Sequence, residues 1–386
     1  MDLTQLLAFT MQNDSSDLHL SAGSPPIIRV SGILKRVKAE PLSSDDIRTM
    51  LYSVMTEEQR AEYEKNMEID FAIALGEKAR FRVNGFTSRL GASAVFRTIP
   101  TEVPTMEQLG LPPVMRRLAE LEKGIVLVTG PTGSGKSTTL ASMINHINLT
   151  EAKHVLTIED PVEFFHKSQK SLINHREVGT DTVSFARALK SALREDPDVI
   201  LVGEMRDYET ISLALTAAET GHLVFATLHS NSASKTIDRV IDVFPTGDKE
   251  MVRAMLASSL QGVIAQTLVR RADGQGRVGA FEILVGTNAV RNLIRENQIP
   301  QMYSMMQTGS RYGMVTMQDS VSDLFEAGII DKDEARRATQ STSGEDSDDE
   351  EYAAASLGGA KLSEDGAAGG DGSSSKSGSG EDGYSF

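Results

Sequence analysis

The octapeptide Gly130-Pro131-Thr132-Gly133-Ser134-Gly135-Lys136-Ser137 restricts the folds open to this chain more than any other stretch. It meets the pattern G-x-x-x-x-G-K-[ST] at every fixed position. The apolar run Gly124–Thr129 before it has strand character, and residues 138–144 after it have helical spacing. A strand, a glycine-rich turn and a helix in that order wrap backbone round a phosphate. Glycine tolerates the conformations that turn successive N–H groups inward, and the helix adds its positive end. Lys136 can then reach the β- and γ-phosphates of ATP. The Ser137 hydroxyl can ligate Mg²⁺, with Thr138 beside it. The motif therefore predicts an α/β nucleotide-binding fold.

At 386 residues the chain has room for two domains and a tail. It contains no cysteine, which excludes disulfides, thiolate metal sites and cysteine nucleophiles and suits a reducing cytosol. No apolar run approaches the roughly eighteen residues of a membrane span, and the first residues lack the order of a secretion signal. The expectation is a cytoplasmic protein with no segment inserted in a membrane. The formal net charge of -15 is uneven, because residues 341–386 hold eleven acids against two lysines. The body keeps 43 acids and 37 bases, a balance that disfavours a nucleic-acid partner without excluding a locally basic pore.

Taken in order, residues 3–11 have helical spacing and lead into the alternating Ser16-Asp17-Leu18-His19-Leu20-Ser21. Residues 26–30 and 33–37 flank a Ser31-Gly32 hairpin signal. A charged helix is expected over 44–66, then strands over 69–75, 80–86 and 92–99. These compose an α+β unit over 1–99. Residues 100–112 begin with Pro100 and Pro104 and read as a linker. A helix over 106–121 enters the P-loop strand. Beyond it, strands at 154–158, 198–202, Leu223–Leu228 and 279–284 alternate with helices at 185–194, 209–219 and 248–269, so a mostly parallel sheet is expected over 113–340. Past Thr339 periodicity stops. The acidic tail, 341–386, is expected to be disordered because it has too little apolar surface to bury.

Three strand ends carry polar groups to the edge where such a sheet binds its ligand. Asp198-Val199-Ile200-Leu201-Val202-Gly203-Glu204 delivers a carboxylate where Gly203 replaces the usual metal-binding Asp. Glu204 is thus the residue available to orient or deprotonate an attacking water. Glu159, Asp160 and Glu163 form a second acidic group, suited to Mg²⁺, to water or to helix capping. His222 and His229 flank the third strand, and His229 beside two carboxylates is placed to sense the γ-phosphate. On 80–86, Arg80 and Arg82 face away from Phe81 and Val83, and Arg97 ends the next strand. Solvated charge and a charge lent to the triphosphate both fit these arginines.

Together these segments resemble the type IV pilus retraction motors, the twitching-motility ATPases of the secretion-ATPase superfamily, over about residues 1–338. The P-loop carries the resemblance with Thr157-Ile158-Glu159-Asp160-Pro161-Val162-Glu163, Val202-Gly203-Glu204-Met205-Arg206-Asp207 and Thr227-Leu228-His229. Ala289-Val290-Arg291-Asn292-Leu293-Ile294-Arg295 looks like the family's C-terminal signature, with Val where Ile is usual. The resemblance implies a PAS-like N-terminal domain and a RecA-like ATPase domain in a homohexamer. It implies Glu204 as catalytic glutamate, Glu163 in an acidic box, and His222 and His229 in a histidine box. It also implies Arg82 and Arg97 as nucleotide contacts. Its implied partners are an inner-membrane pilus platform protein and a paralogous retraction ATPase. The extra N-terminal domain and four-cysteine zinc site of assembly motors are both missing here, which favours retraction. A RecA-like nucleic-acid motor and a non-hydrolysing nucleotide-dependent regulator are the rival readings.

Overall fold

The computed structural model describes residues 2–343, apart from 14, 31, 77, 78, 100, 101 and 275. The acidic tail beyond 343 and the first two residues of the expected linker lie outside the described residues. Helix α1 (Leu3–Gln12) starts at a capping box, in which Asp2 accepts from the Gln5 amide at 2.8 Å and Gln5 accepts in return. Strands β1 (Asp17–Ser21), β2 (Ile27–Val30) and β3 (Ile33–Arg36) follow. Helices α2 (Ser44–Tyr52) and α3 (Glu57–Asn66) precede β4 (Glu68–Leu75), β5 (Ala79–Ser88) and β6 (Gly91–Ile99). The single helix expected over 44–66 is thus two. Ser53 ends the first, and Thr56 opens the second with its own capping box to Gln59.

The six strands form an antiparallel sheet in the order β3-β2-β1-β6-β5-β4. Its inner face carries the fully buried Leu18, Phe81, Val83 and Phe96, with α1 and α2 supplying Leu6, Leu7, Ile47 and Leu51. The opposite face is charged. Arg82 and Arg97 are directly paired across β5 and β6, and Asp17 lies opposite both Arg97 and Arg29.

The second sheet is built from β7 (Gly124–Thr129), β8 (His154–Glu159), β9 (Leu172–Glu177), β10 (Val199–Val202), β11 (Leu223–Leu228), β12 (Leu260–Arg270) and β13 (Arg277–Val285). Its order is β13-β12-β7-β11-β10-β8-β9, parallel throughout except for the β12–β13 pair. On one face lie α4 (Pro113–Ala119) and α5 (Lys136–Thr150). The other face packs against α6 (Phe185–Ala192), α7 (Tyr208–Glu219), α8 (Ala233–Asp242), α9 (Lys249–Ser259), α10 (Asn288–Arg295) and α11 (Met302–Thr308). Helices α12 (Met317–Glu326) and α13 (Lys332–Ser343) close the described chain over β12 and β13. The last helix runs three residues past the boundary expected at 340. Burial on both faces explains the near-continuous apolar strands.

Other elements also differ from expectation. The helix predicted over 248–269 stops at Ser259, and the next eleven residues are β12. At Gly262 a Cβ would come within 2.9 Å of the end of the Leu118 side chain, so the strand lies close against α4. The helix predicted over 106–121 begins only at Pro113, where proline's fixed φ and missing N–H suit a first turn. Strand β9 was not anticipated. On β13, buried Glu282 accepts from the Ala233 amide at 2.7 Å and from the Met317 amide, joining the first turns of α8 and α12. Burial pushes its carboxyl up, and the two amides work against that.

Phe81→Ala removes a fully buried ring from the inner face of the first sheet. It should cost about 3–5 kcal/mol, the usual range for a core aromatic truncated to alanine, read as a lowered urea midpoint.

Candidate active site

The P-loop lies between the C-terminal end of β7 and the start of α5 and adopts the geometry its glycines allow. Gly130, Gly133 and Gly135 have φ of 145°, 78° and 88°. A Cβ at Gly130 would meet the Gln266 carbonyl at 2.3 Å and Ser134 Oγ at 2.6 Å. At Gly133 a Cβ would meet nothing within 4 Å, so this side of the loop is open to a ligand. Pro131 and Thr132 are exposed there, and Ser134 is buried with a hydroxyl that has no hydrogen-bond partner among the described residues. Lys136 Nζ donates to the carbonyls of Gly130 at 2.9 Å and Pro131 at 3.1 Å. Burial holds its pKa below the usual lysine value, against the attraction of Glu204.

Gln266 holds this loop in shape. From β12 its Nε2 donates to the Ser134 carbonyl at 2.7 Å, and its Oε1 accepts from Thr139 Oγ1 on α5 at 2.7 Å. Sequence reasoning missed it because the residue was assigned to a helix. The polar glutamine inside an apolar run of β12 was the available signal.

Glu204 stands one residue beyond Gly203 at the end of β10. Its Oε1 is 3.1 Å from His229 Nε2, at the end of the adjacent β11, and 2.6 Å from Arg206 Nε. Partial burial raises the Glu204 pKa, but Arg206, His229 and Lys136 outweigh it and hold the carboxyl below the usual range. The backbone fixes this position: Gly203 N–H donates to Ile158 O at 2.8 Å and Met205 N–H to Thr227 O at 3.0 Å. A Cβ at Gly203 would come within 3.2 Å of Glu159 Cα and Ile158 O, so any side chain there would push on the neighbouring strand end by a few tenths of an ångström. Thr129 and Ser230 exchange hydrogen bonds at 2.7 and 2.9 Å, which locks the ends of β7 and β11 together.

The two histidines part company. His222 precedes β11 and bonds the Ala217 carbonyl at 2.9 Å, closing α7. His229 follows the six-residue strand, about 20 Å away at the usual rise, so only His229 reaches the site.

The acidic segment is divided too. Glu163 is exposed, while Glu159 is buried and accepts from the Glu163 amide at 3.3 Å. Burial, with the nearby charges of Glu163 and Glu177, pushes Glu159 up to about 7 against the pull of Thr157 and that amide. Buried and turned inward, this carboxyl is less open to a metal than the Mg²⁺ ligand expected of it would be. Ser137 does fit, since it is exposed on the first turn of α5. No three His, Asp or Glu among the described residues are grouped to hold a metal.

Arg82 and Arg97 carry acid partners within their own sheet. Arg82 forms two hydrogen bonds with Asp70, at 3.1 and 2.7 Å, and Arg97 reaches Asp17 at 2.9 Å. After Asp70, the charges of Glu163 and Asp160 further raise the Arg82 pKa, so its strand faces the acidic segment. Arg80, two residues earlier, lies 4.0 Å from the centre of the Phe165 ring, a cation–π contact from one sheet's face to the loop beyond Glu163.

A parallel sheet with helices on both faces, a P-loop, and a carboxylate and imidazole on neighbouring strand ends define a P-loop ATPase. The type II/IV secretion system protein family matches residues 2–342, and the chain belongs to that family. It is 56% identical over 336 residues to the type IV pilus retractation ATPase PilT of Pseudomonas aeruginosa, covering 87% of this chain and 97% of that relative. It is 55% identical over 340 residues to a twitching motility protein of Neisseria gonorrhoeae, covering 88% and 91%. A crystal structure of the pilus retraction motor PilT with bound ADP superposes with a TM-score of 0.82 at 47% identity, covering 88% of this chain and 97% of that one.

Gln266→Ala leaves the Ser134 carbonyl and Thr139 hydroxyl without their buried partner. Nucleotide affinity should fall about tenfold, the equivalent of one to two net hydrogen bonds, in a titration with fluorescent ADP, with far-UV circular dichroism unchanged. Glu159 gives a pH test. Its carboxyl binds a proton more tightly folded than unfolded, so its own contribution to wild-type stability falls as pH rises from about 4.5 to about 7. Glu159→Gln removes that slope. In EDTA, the variant should gain on wild type between pH 5 and pH 8 by an amount on the order of 3 kcal/mol at most, read from urea midpoints.

Proposed function

We propose that this chain is the subunit of a hexameric motor that hydrolyses ATP to retract type IV pilus fibres, acting in the cytoplasm at the inner-membrane face. The observation that carries the reading is the meeting of Lys136, Glu204 and His229 at one sheet edge, with the PilT likeness running nearly end to end. We take the two sheets as two domains, 1–99 and 113–340, joined by 100–112.

ATP would lie along the P-loop with its phosphates on the amides of residues 130–138 and Lys136 Nζ swung from its loop carbonyls toward the β- and γ-phosphates. Mg²⁺, when bound, neutralises phosphate charge, and Ser137 would hold it. Glu204 would orient the attacking water and take its proton. Its low pKa keeps it ionised at neutral pH, and Arg206 must release it for that role. His229, bonded to the same carboxylate, would report the γ-phosphate's presence to α8 through the strand end. Glu163 would help hold the water on the opposite side. Arg82 and Arg97 would lend positive charge from the first sheet, of the same or a neighbouring subunit. Changes of angle between the domains, summed round the ring, would act on a platform protein in the inner membrane, with a paralogous ATPase as a second partner.

Lys136→Ala should abolish phosphate release. Glu204→Gln should keep nucleotide binding and ring assembly but lose roughly 10²–10⁴ in rate. In the host, either variant in place of the wild type should leave cells with an excess of surface pili. Near-normal turnover in Glu204→Gln would remove it as the base, and normal pilus numbers in the inactive Lys136→Ala host would overturn the retraction reading.

A further inference from the structure

A cavity of about 790 Å³, with no P-loop residue in its lining, lies among the end of α9, helix α10, and α11 with the loop after it. Its walls carry Arg291, Arg295, Arg311, Thr308, Met305 and Met314, and none of its lining residues is Asp or Glu. In a chain with 54 acids against 39 basic residues, three arginines round one acid-free cavity are out of proportion.

The three guanidinium groups are not equivalent. Arg291 is committed to the fold: it donates to Gly286 O at 2.8 Å, Ala257 O at 3.1 Å, Ser258 O and Gln261 Oε1 at 3.2 Å. It pins α10 to the end of α9 and forms the cavity's rigid side. Arg295 is exposed and has no hydrogen bond or ion pair among the described residues. Arg311 is exposed, lies 4.7 Å from the centre of the Tyr312 ring and donates to the Tyr312 hydroxyl at 2.8 Å, with no carboxylate partner among the described residues. Two exposed guanidinium groups without a carboxylate partner among the described residues therefore line the cavity, beside a third that is held in place. Their mutual repulsion is relieved when an anion sits between them. The remaining wall mixes hydroxyl and amide side chains with Tyr312, two methionines, two glycines and an alanine, which offers hydrogen bonds to a peptide backbone beside an adaptable apolar surface for its side chains.

We propose that this cavity is a docking site for an acidic peptide segment of another protein. Its carboxylates would pair with Arg295 and Arg311, and its apolar side chains would lie against Met305 and Met314. Arginine, tyrosine and methionine are the residue types enriched where proteins bind proteins. A cavity of this volume accommodates a few side chains. Phosphate is the competing anion, and the test separates the two.

The probe is a fluorescein-labelled peptide alternating pairs of glutamate with leucine, titrated by anisotropy into the full chain with saturating Mg-ADP to fill the P-loop. Binding should be saturable and weaken several-fold between 50 and 200 mM salt, as screened charge requires. The double variant Arg295→Gln with Arg311→Gln should bind at least tenfold more weakly. The Arg295→Lys, Arg311→Lys pair should keep most of the affinity, and both double variants should retain basal ATPase within about twofold. Equal peptide affinity in wild type and the Gln pair would overturn the site. Displacement of the peptide by inorganic pyrophosphate at equal or lower concentration would overturn the peptide assignment in favour of phosphate. The binding readout needs no turnover, so it stands or falls separately from the motor reading.

Discussion

The nucleotide site depends on one side-chain amide. Gln266 uses its donor on the Ser134 carbonyl and its acceptor on the Thr139 hydroxyl, so β12 holds the P-loop and the first turn of α5 from behind. Without it, a loop with three glycines in the left-handed region would have many conformations open to it, and the ordering entropy would fall on the nucleotide. The close approach is possible because Gly130 and Gly135 have no Cβ to strike Gln266. Glycine freedom and glutamine restraint are two halves of one solution: a loop able to adopt the phosphate-binding shape, and a strand that keeps it there.

Electrostatics at the same edge follows from strand order. Because β10 and β11 are neighbours, Glu204 and His229 meet, and because β7 lies beside β11, Lys136 is close enough to influence the same carboxylate. Gly203 completes the arrangement by letting β10 pass against Glu159. Glu159 is thereby shut into a space where it prefers a proton, while Glu204, one strand away, is held ionised. Two carboxyl groups of similar intrinsic acidity are driven in opposite directions by what surrounds them.

Much of this was legible in the residues. The P-loop and its flanks, Glu204 at a strand end, His229 beside it and the two faces of β5 all follow from spacing and alternation. What was not legible has physical causes. A strand buried on both faces and a buried helix both read as unbroken apolar sequence, so β12 was absorbed into the preceding helix and Gln266 with it. The break between α2 and α3 was written in the Thr56–Gln59 capping pair but concealed by a charged, helix-compatible sequence on both sides. The division of labour between Glu159 and Glu163, and between His222 and His229, depends on where a strand begins and ends. Composition does not encode that to the single residue.

Glu282 bears on how this chain can be dissected. Its carboxylate is shared between the amide that opens α8, just after His229, and the amide that opens α12, near the end of the described chain. Cutting the chain before α12 would strip one of two hydrogen-bond donors from a buried acid and expose the β12–β13 face that α12 and α13 cover. The C-terminal helices are thus part of the enzyme's scaffold rather than an appendage. A minimal catalytic fragment has to extend through them, although the last of the sequence motifs at the nucleotide site ends at His229, well before α12 begins at Met317.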